Sequence, residues 1–310
     1  VEIKLFPTGG YVSLDIFSAI KELLNKLFNK PAVQNLPAAA TTSAPPPAVV
    51  SSDPVPDGHD PAPAPALPTL VTGSAFIQAN INLVGATREA NILKEFQIGN
   101  FPEFLRNWAV ITVSDGTNTL QYQVMSDYLS IGGDDDYVRV PMNPHTAQAI
   151  ADQYGCTLIT RKMCNDIWKQ SPNKLEPRPW GPPYNADMEK THRIGTHSAT
   201  IQKQLTSAGL NPHALTSGHK KDVVLTNKLH PNNPGKRVAI YGWIQSNGQP
   251  IQGLNPTSHD DKYADYSHGI RLVNNNALLN GQLVKMQDIF SHPVYSKLVS
   301  DEGPLLFKRY

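Results

Sequence analysis

Residues 31–68 constrain this chain more than any other stretch. Proline, alanine, serine and threonine dominate there, as in Ala44-Pro45-Pro46-Pro47-Ala48 and Asp60-Pro61-Ala62-Pro63-Ala64-Pro65-Ala66. Such a segment cannot bury enough apolar surface to offset its ordering entropy, and its prolines favour an extended, semi-stiff path. It reads as a linker, so a folded core must lie on one side of it. Residues 1–30 are too few for a core and read as one amphipathic helix. Ser13 is a suitable N-cap for a helix running to about Asn29. Ile16, Phe17, Ile20, Leu23, Leu24, Leu27 and Phe28 recur at helical spacing, and Lys21, Glu22, Asn25 and Lys26 fill the other face. That helix is expected to dock on its own domain or self-associate, or to anchor the chain to a partner protein or a membrane surface.

The main domain is therefore expected over 69–310. It opens with helical patterns from Ser74 and after Gly85, the second closed by Gly99, and a short helix begun by Pro102. The period then changes to two. Val110–Val113 and Leu120–Val124 around Asp115-Gly116 read as a hairpin, as do Tyr128–Ile131 and Tyr137–Val140. Helices follow over about 144–154 and 159–170, then an irregular Pro- and His-rich stretch over 171–197, then a helix near 198–207. Strand patterns at Val223–Asn227 and Val238–Trp243, the turn Asn247-Gly248 and the return Pro250–Leu254 lead to the run Tyr263–Val273. A short helix is expected around 287–290. Helices, hairpins, helices and then strands define an α+β class: N-terminal helices packed on a mainly antiparallel sheet, with the tethered helix in front.

Charge narrows the partners. The 310 residues carry a formal net charge of +1 with no basic block, which argues against nucleic acid. The two cysteines, Cys156 and Cys164, fall eight apart in one expected helical region, which is poor geometry for a bridge. They suit a reducing compartment, or an exported or virion-associated protein that does not depend on disulfides. No apolar run approaches the ~18 residues of a membrane span, and Val1-Glu2-Ile3-Lys4-Leu5 lacks the look of a signal peptide.

Most reactive side chains lie between His219 and Val273. Cys156 is expected just before or at the start of a helix, where helix amides would favour a thiolate. A cysteine nucleophile needs an imidazole base and an orienting group, for which His219 or His268 and Asp222 or Asp265 are the candidates. Arg271 is a candidate carboxylate binder. The competing reading makes Cys156 a small buried side chain, and Cys164 structural. A second constellation is metal binding: His219, His259 and His268, with Asp222 and Asp265, supply ligand types suited to zinc. Trp180, Tyr184 and Trp243 could form a wall for a sugar face, although core packing suits Trp243, which ends a strand.

Two stretches resemble the NlpC/P60 group of papain-like cell-wall hydrolases. Gly155-Cys156-Thr157-Leu158 is similar to that family's cysteine segment, and Asp222-Val223-Val224-Leu225, Val238-Ala239-Ile240-Tyr241 and Asn247-Gly248-Gln249-Pro250-Ile251 to its central hairpin. The likeness covers about a quarter of the chain. Arg237 stands where the family carries its base histidine, Gln252 where its third polar residue falls, and Gly155 where aspartate precedes the cysteine. The main domain also resembles a bacterial family of uncharacterised proteins. The resemblance implies a hydrolase of cell-wall peptide or glycan with a Cys/His site, its base supplied by His219 or His268. The alternatives are a zinc-dependent hydrolase using the His/Asp set, or a non-enzymatic attachment module of a larger assembly.

Overall fold

A computed structural model describes residues 70–181 and 186–310; the expected N-terminal helix and linker lie outside the described residues. The class is α+β, as the order of patterns implies. The helices are α1 (Gly73–Ala79), α2 (Gly85–Gln97), α3 (Pro144–Gln153), α4 (Arg161–Gln170), α5 (Thr191–Ser207) and α6 (Met286–Ser291). Local chemistry sets their starts. Thr72 Oγ1 accepts from the Ala75 amide to cap α1. Asn143 Oδ1 accepts from the amides of His145 and Thr146, with Pro144 in the first helical turn. Thr160 Oγ1 accepts from the Met163 amide and starts α4.

Strands β1 (Ala109–Ser114) and β2 (Thr119–Val124) form one of the expected hairpins, and β3 (Ser130–Gly133) and β4 (Asp136–Arg139) the other, both antiparallel. Two short strands, β5 (Cys156–Thr157) and β6 (Ile159–Thr160), run between α3 and α4. Then come β7 (Asn173–Lys174), β8 (Thr216–Ser217), β9 (Lys221–Leu225), β10 (Ile240–Ile244), β11 (Pro250–Asn255), β12 (His268–Gly269), β13 (Val273–Leu279) and β14 (Gln282–Lys285). Ten of the strands build two five-stranded sheets, while β3–β4 and the parallel pair β7–β8 stand as separate two-stranded sheets. One five-stranded sheet runs β1-β2-β13-β14 with β5 added on β13; the other runs β11-β10-β9-β12 with β6 added on β9. Most pairs are antiparallel, but β12 and β6 both lie parallel to β9.

The core is continuous between these layers. Ile92 and Phe96 of α2, Leu105, Ile111, Leu120, Val124, Ile131, Met142 and Ile150 are all sealed, which supplies the dominant stabilising term. Among the described residues no helix is long and apolar enough to cross a membrane.

Two sequence expectations change. The Pro- and His-rich stretch was expected irregular to 197, yet α5 begins at Thr191, so His192 and His197 are helical. Cys156 does not open a helix. It sits in β5, opposite Asn274 of β13, and α4 starts five residues later. The short alternation Cys156-Thr157-Leu158-Ile159 carries no turn signal that would separate strand from helix start.

Candidate functional site

Strand β9 is the axis of a buried polar cluster. Residues along a strand alternate in direction, and Lys221 and Asp222 follow that rule. Asp222 is buried; its Oδ2 accepts from Tyr128 Oη at 3.1 Å and from the Cys164 thiol at 3.0 Å. Burial raises its pKa, which the Arg271 charge only partly offsets, leaving it at about 6. Lys221 turns the other way and places its ammonium 4.5 Å from the centre of the Trp243 ring.

His219 and Lys220 precede the strand. His219 Nε2 is 3.0 Å from Asp127 Oδ1, and Asp127 Oδ2 accepts from Arg139 at 2.9 and 2.6 Å. Burial alone would raise the Asp127 pKa, but the charges of Arg139 and His219 and their hydrogen bonds outweigh it and hold the carboxyl well below its usual range. Desolvation lowers the His219 imidazole to about 4, so at neutral pH it is uncharged and donates Nε2–H to Asp127. Lys220 is sealed, donates to the Tyr266 carbonyl at 2.6 Å, and is pushed down by burial to about 7.

A second group forms at the start of β12, where His268 pairs alongside Lys221. Asp265 Oδ1 accepts from both the amide and the hydroxyl of Ser267, at 2.8 and 2.5 Å, and Oδ2 accepts from Tyr263 Oη at 3.0 Å. Burial would raise Asp265, but His268, Lys221 and the Ser267 bonds hold it at about 2. The His268 ring is 0% exposed, and neither of its nitrogens has a hydrogen-bond partner among the described residues. Desolvation takes it down to about 4 against the pull of Asp265. Over it lie His259 and Tyr263, half-buried and stacked at 4.0 Å between ring centres; their rings are 6.1 and 5.7 Å from that of His268.

Two devices hold this group. Arg88 of α2, itself buried, donates to the carbonyls of Ala264 (2.9 Å) and Glu189, pinning the loop that carries Asp265. The β10–β11 register shifts between Ile240 and Gly242, and Trp243 then takes a left-handed φ of 52°. That bulge re-aims the indole. Its N–H donates to the His219 carbonyl at 3.1 Å, and its face lies near Tyr266, which also packs on Trp180 at 4.0 Å. His197 packs against the same three rings.

The expected site residues thus divide. Asp265, His268, His259 and Trp243 come together, around Lys221, which the sequence reading did not single out. His219 and Asp222 lie on the same strand segment but are engaged elsewhere. Asp222 faces a thiol, but that thiol is Cys164. Cys156 is separate from all of them: its thiol is buried, donates to the Tyr154 carbonyl at 3.3 Å, and is pushed up by burial to about 12. No imidazole is hydrogen-bonded to it among the described residues. The expectation of a helix-activated Cys156 with His219 or His268 as its base is therefore corrected. A desolvated thiol stays protonated, and a protonated thiol is a poor nucleophile. Arg271 is corrected as a carboxylate binder: it is buried, donates to the carbonyls of Met125 (2.8 Å) and Thr216 (2.5 Å), and stacks over Tyr128. The expected zinc set does not converge, because His219 is held on Asp127 and His259 lies flat on Tyr263. No group of three His, Cys, Asp or Glu side chains among the described residues is arranged to hold an ion.

Sequence reasoning missed Asp127, Arg139, Tyr128, Lys220, Lys221, Tyr263 and Arg88. A signal existed for one of them: Lys220, like Asp222, is a charge placed at an apolar strand that has sheet on both sides. No family model matches the chain, and comparison with curated proteins and with solved structures found no match.

Proposed function

We propose that the domain is a hydrolase of cell-wall peptide or glycan in which His268, and not a cysteine, is the general base. One observation carries this reading: a fully buried imidazole with both nitrogens unpartnered, set beside an ionised carboxylate. Leaving a buried polar group unpaired costs about 1–3 kcal/mol, and such costs concentrate where chemistry needs a free lone pair. At neutral pH His268 is uncharged and Asp265 ionised. The imidazole would take a proton from water as the water oxygen attacks the scissile centre, and return it to the leaving group. Asp265, fixed by Ser267 and Tyr263, would stabilise the transient imidazolium. Lys221 would offset developing negative charge. Trp243, Trp180 and Tyr266 would supply ring surface for an apolar face of the substrate. Separation of the stacked His259–Tyr263 pair would admit substrate. The substrate class follows from the resemblance to cell-wall hydrolases.

The test is turnover of purified peptidoglycan by the full chain, with released fragments identified by mass spectrometry. His268→Gln should lower the rate at least a hundredfold while the melting temperature moves little, and Cys156→Ser should leave the rate within about twofold. Unchanged turnover in His268→Gln ends the proposal. A second reading, a non-enzymatic attachment module, is favoured by the complete burial of that same ring. It predicts no fragments from any variant and a stable complex that survives His268→Gln.

A further inference from the structure

A cleft of about 990 Å³ runs beside α3, and the His268 ring is not part of its wall. His145, Gln148 and Asp152 line it from one stripe of that helix, and Cys156 of β5 lines it beyond the helix C-terminus. Ten residues at ~1.5 Å each make α3 about 15 Å long. At ~3.3 Å per residue that is the span of about four or five residues of extended chain.

Charge selects the sign of the ligand. Arg309 is paired with Asp152 at 2.8 Å, and His145 with Asp261 at 3.0 Å. Two ammonium groups in the lining are left without a carboxylate. Lys308 Nζ donates to the Ser291 hydroxyl at 2.7 Å, and Lys236 Nζ makes no hydrogen bond or ion pair among the described residues. The backbone holds Lys236 in place with a left-handed φ of 47°, uncommon for a lysine. Its N–H donates to the Asn233 carbonyl at 2.9 Å, and its own carbonyl accepts from the Asp261 amide at 2.8 Å.

The main chain and one carboxamide select the rest. The Asn275 N–H donates to the Gly155 carbonyl at 3.1 Å, astride the Asn274–Cys156 pair. Asn274 and Cys156 therefore form a non-hydrogen-bonded pair of the ladder, and the Cys156 N–H points to the outer edge of β5. Asn275 Oδ1 is buried with no donor, while its Nδ2 is spent on the Cys156 carbonyl at 3.1 Å. One outward N–H and one idle carboxamide oxygen are the complement of a single peptide unit. Sugar hydroxyls and phosphate oxygens find fewer donors here, because the side-chain N–H groups of Gln148 and Gln287 already serve Asp152 and Thr157. Leu306, 62% exposed, adds an apolar contact.

We infer that this cleft binds an extended acidic peptide segment of a partner protein, about five residues long, whose carboxylates engage Lys236 and Lys308 while one of its peptide units joins the edge of β5. The inference stands apart from the acid–base reading, since it concerns binding at other residues and no bond is broken.

The test is calorimetric titration of the full chain with acetyl-Glu-Ala-Leu-Ala-Glu-amide, beside its Gln-Ala-Leu-Ala-Gln counterpart and inorganic tripolyphosphate. The acidic peptide should bind, the glutamine peptide at least about tenfold more weakly, and tripolyphosphate more weakly than the acidic peptide. Lys308→Gln and Lys236→Asn, the latter suited to the left-handed backbone at 236, should each weaken binding several-fold. Of the acidic peptides N-methylated at a single inner amide, at least one should lose about tenfold, a readout that leaves the protein unaltered. His268→Gln should bind as the parent does, which separates this inference from the hydrolase proposal. Absence of binding at millimolar concentration, equal binding of the glutamine peptide, indifference to both lysine variants, tighter binding of tripolyphosphate, N-methylated peptides that all bind like the unmodified one, or loss of binding in His268→Gln would each overturn it.

Discussion

Replacing Asp127 tests whether the charged cluster around β9 is a structural keystone. Asp127 is 0% exposed and takes four hydrogen bonds: two from Arg139, one from His219 Nε2 and one from the Tyr128 amide at 2.7 Å. Arg139 is equally sealed; its Nε and Nη2 reach Asp127, and its Nη1 has no hydrogen-bond partner among the described residues. Asp127→Ala would strand a guanidinium and an imidazole N–H in the core. Removing one member of a buried pair costs about 3–5 kcal/mol, a large share of the ~5–15 kcal/mol that holds a typical domain together. Asp127→Asn keeps the shape and one acceptor and should cost about half as much. Urea unfolding followed by tryptophan fluorescence measures both. The carboxyl is depressed in the folded state, so its contribution is present above the unfolded pKa of ~3.9 and is lost as pH falls below it. The gap between parent and Asp127→Asn should therefore be constant from pH 7 to about 5 and shrink in stronger acid. A cost under about 1 kcal/mol for Asp127→Ala, or a gap that widens in acid, would refute the reasoning.

Four further outcomes follow from the same geometry. Neither thiol should react with a disulfide reagent in the native protein, and both should react in urea, because burial raises the pKa of Cys156 to about 12 and that of Cys164 as well. Gly269→Ala should destabilise by about 1–3 kcal/mol in urea melts, since a Cβ there would meet the Tyr128 ring at 2.6 Å and Lys220 Cβ at 2.8 Å. Stability should decline as pH falls from about 6.5 toward 4, because the imidazoles of His219 and His268 are depressed to about 4 and His197 is depressed too. The unfolded chain then binds more protons, and Asp222, raised to about 6, offsets only part of the loss. If the urea midpoint were flat across that window, those rings would not be held neutral. Hydrolysis that uses neutral His268 should likewise rise with pH through about 4 and then level off.

The parts of this fold that announce themselves are those with a local cause. The hairpins at 110–124 and 130–139, the Asn143-Pro144 helix start and the Asn247-Gly248 turn are each written in a few adjacent residues. The α+β class follows from their order. Cys156 shows where local reading fails, since β5 exists only because β13, over a hundred residues later, offers it a partner. The same holds for charge. His219 and Asp222 look like catalytic companions in sequence. In space Asp222 turns to Tyr128 and Cys164, and His219 turns to Asp127 and Arg139.

What remains after those pairings is more informative than the inventory of reactive side chains. Asp127, Asp222 and Arg271 are each engaged by protein groups that surround them. The stability of the β9 region depends on those contacts, so their removal would perturb folding before it perturbed any reaction. His268 is different: it is as deeply buried, and neither nitrogen is engaged. A fold that needed only a filled volume there could use leucine or phenylalanine without the desolvation cost. Retaining an imidazole next to the Asp265 carboxylate, beneath two stacked rings at the surface, is the arrangement expected of a base that is covered until its substrate arrives. Replacing His268 with leucine should therefore leave the domain as stable or more stable, by up to about 2 kcal/mol, and abolish turnover. A leucine variant that is strongly destabilised would mean that the ring has a structural partner and that the proposed base lies elsewhere.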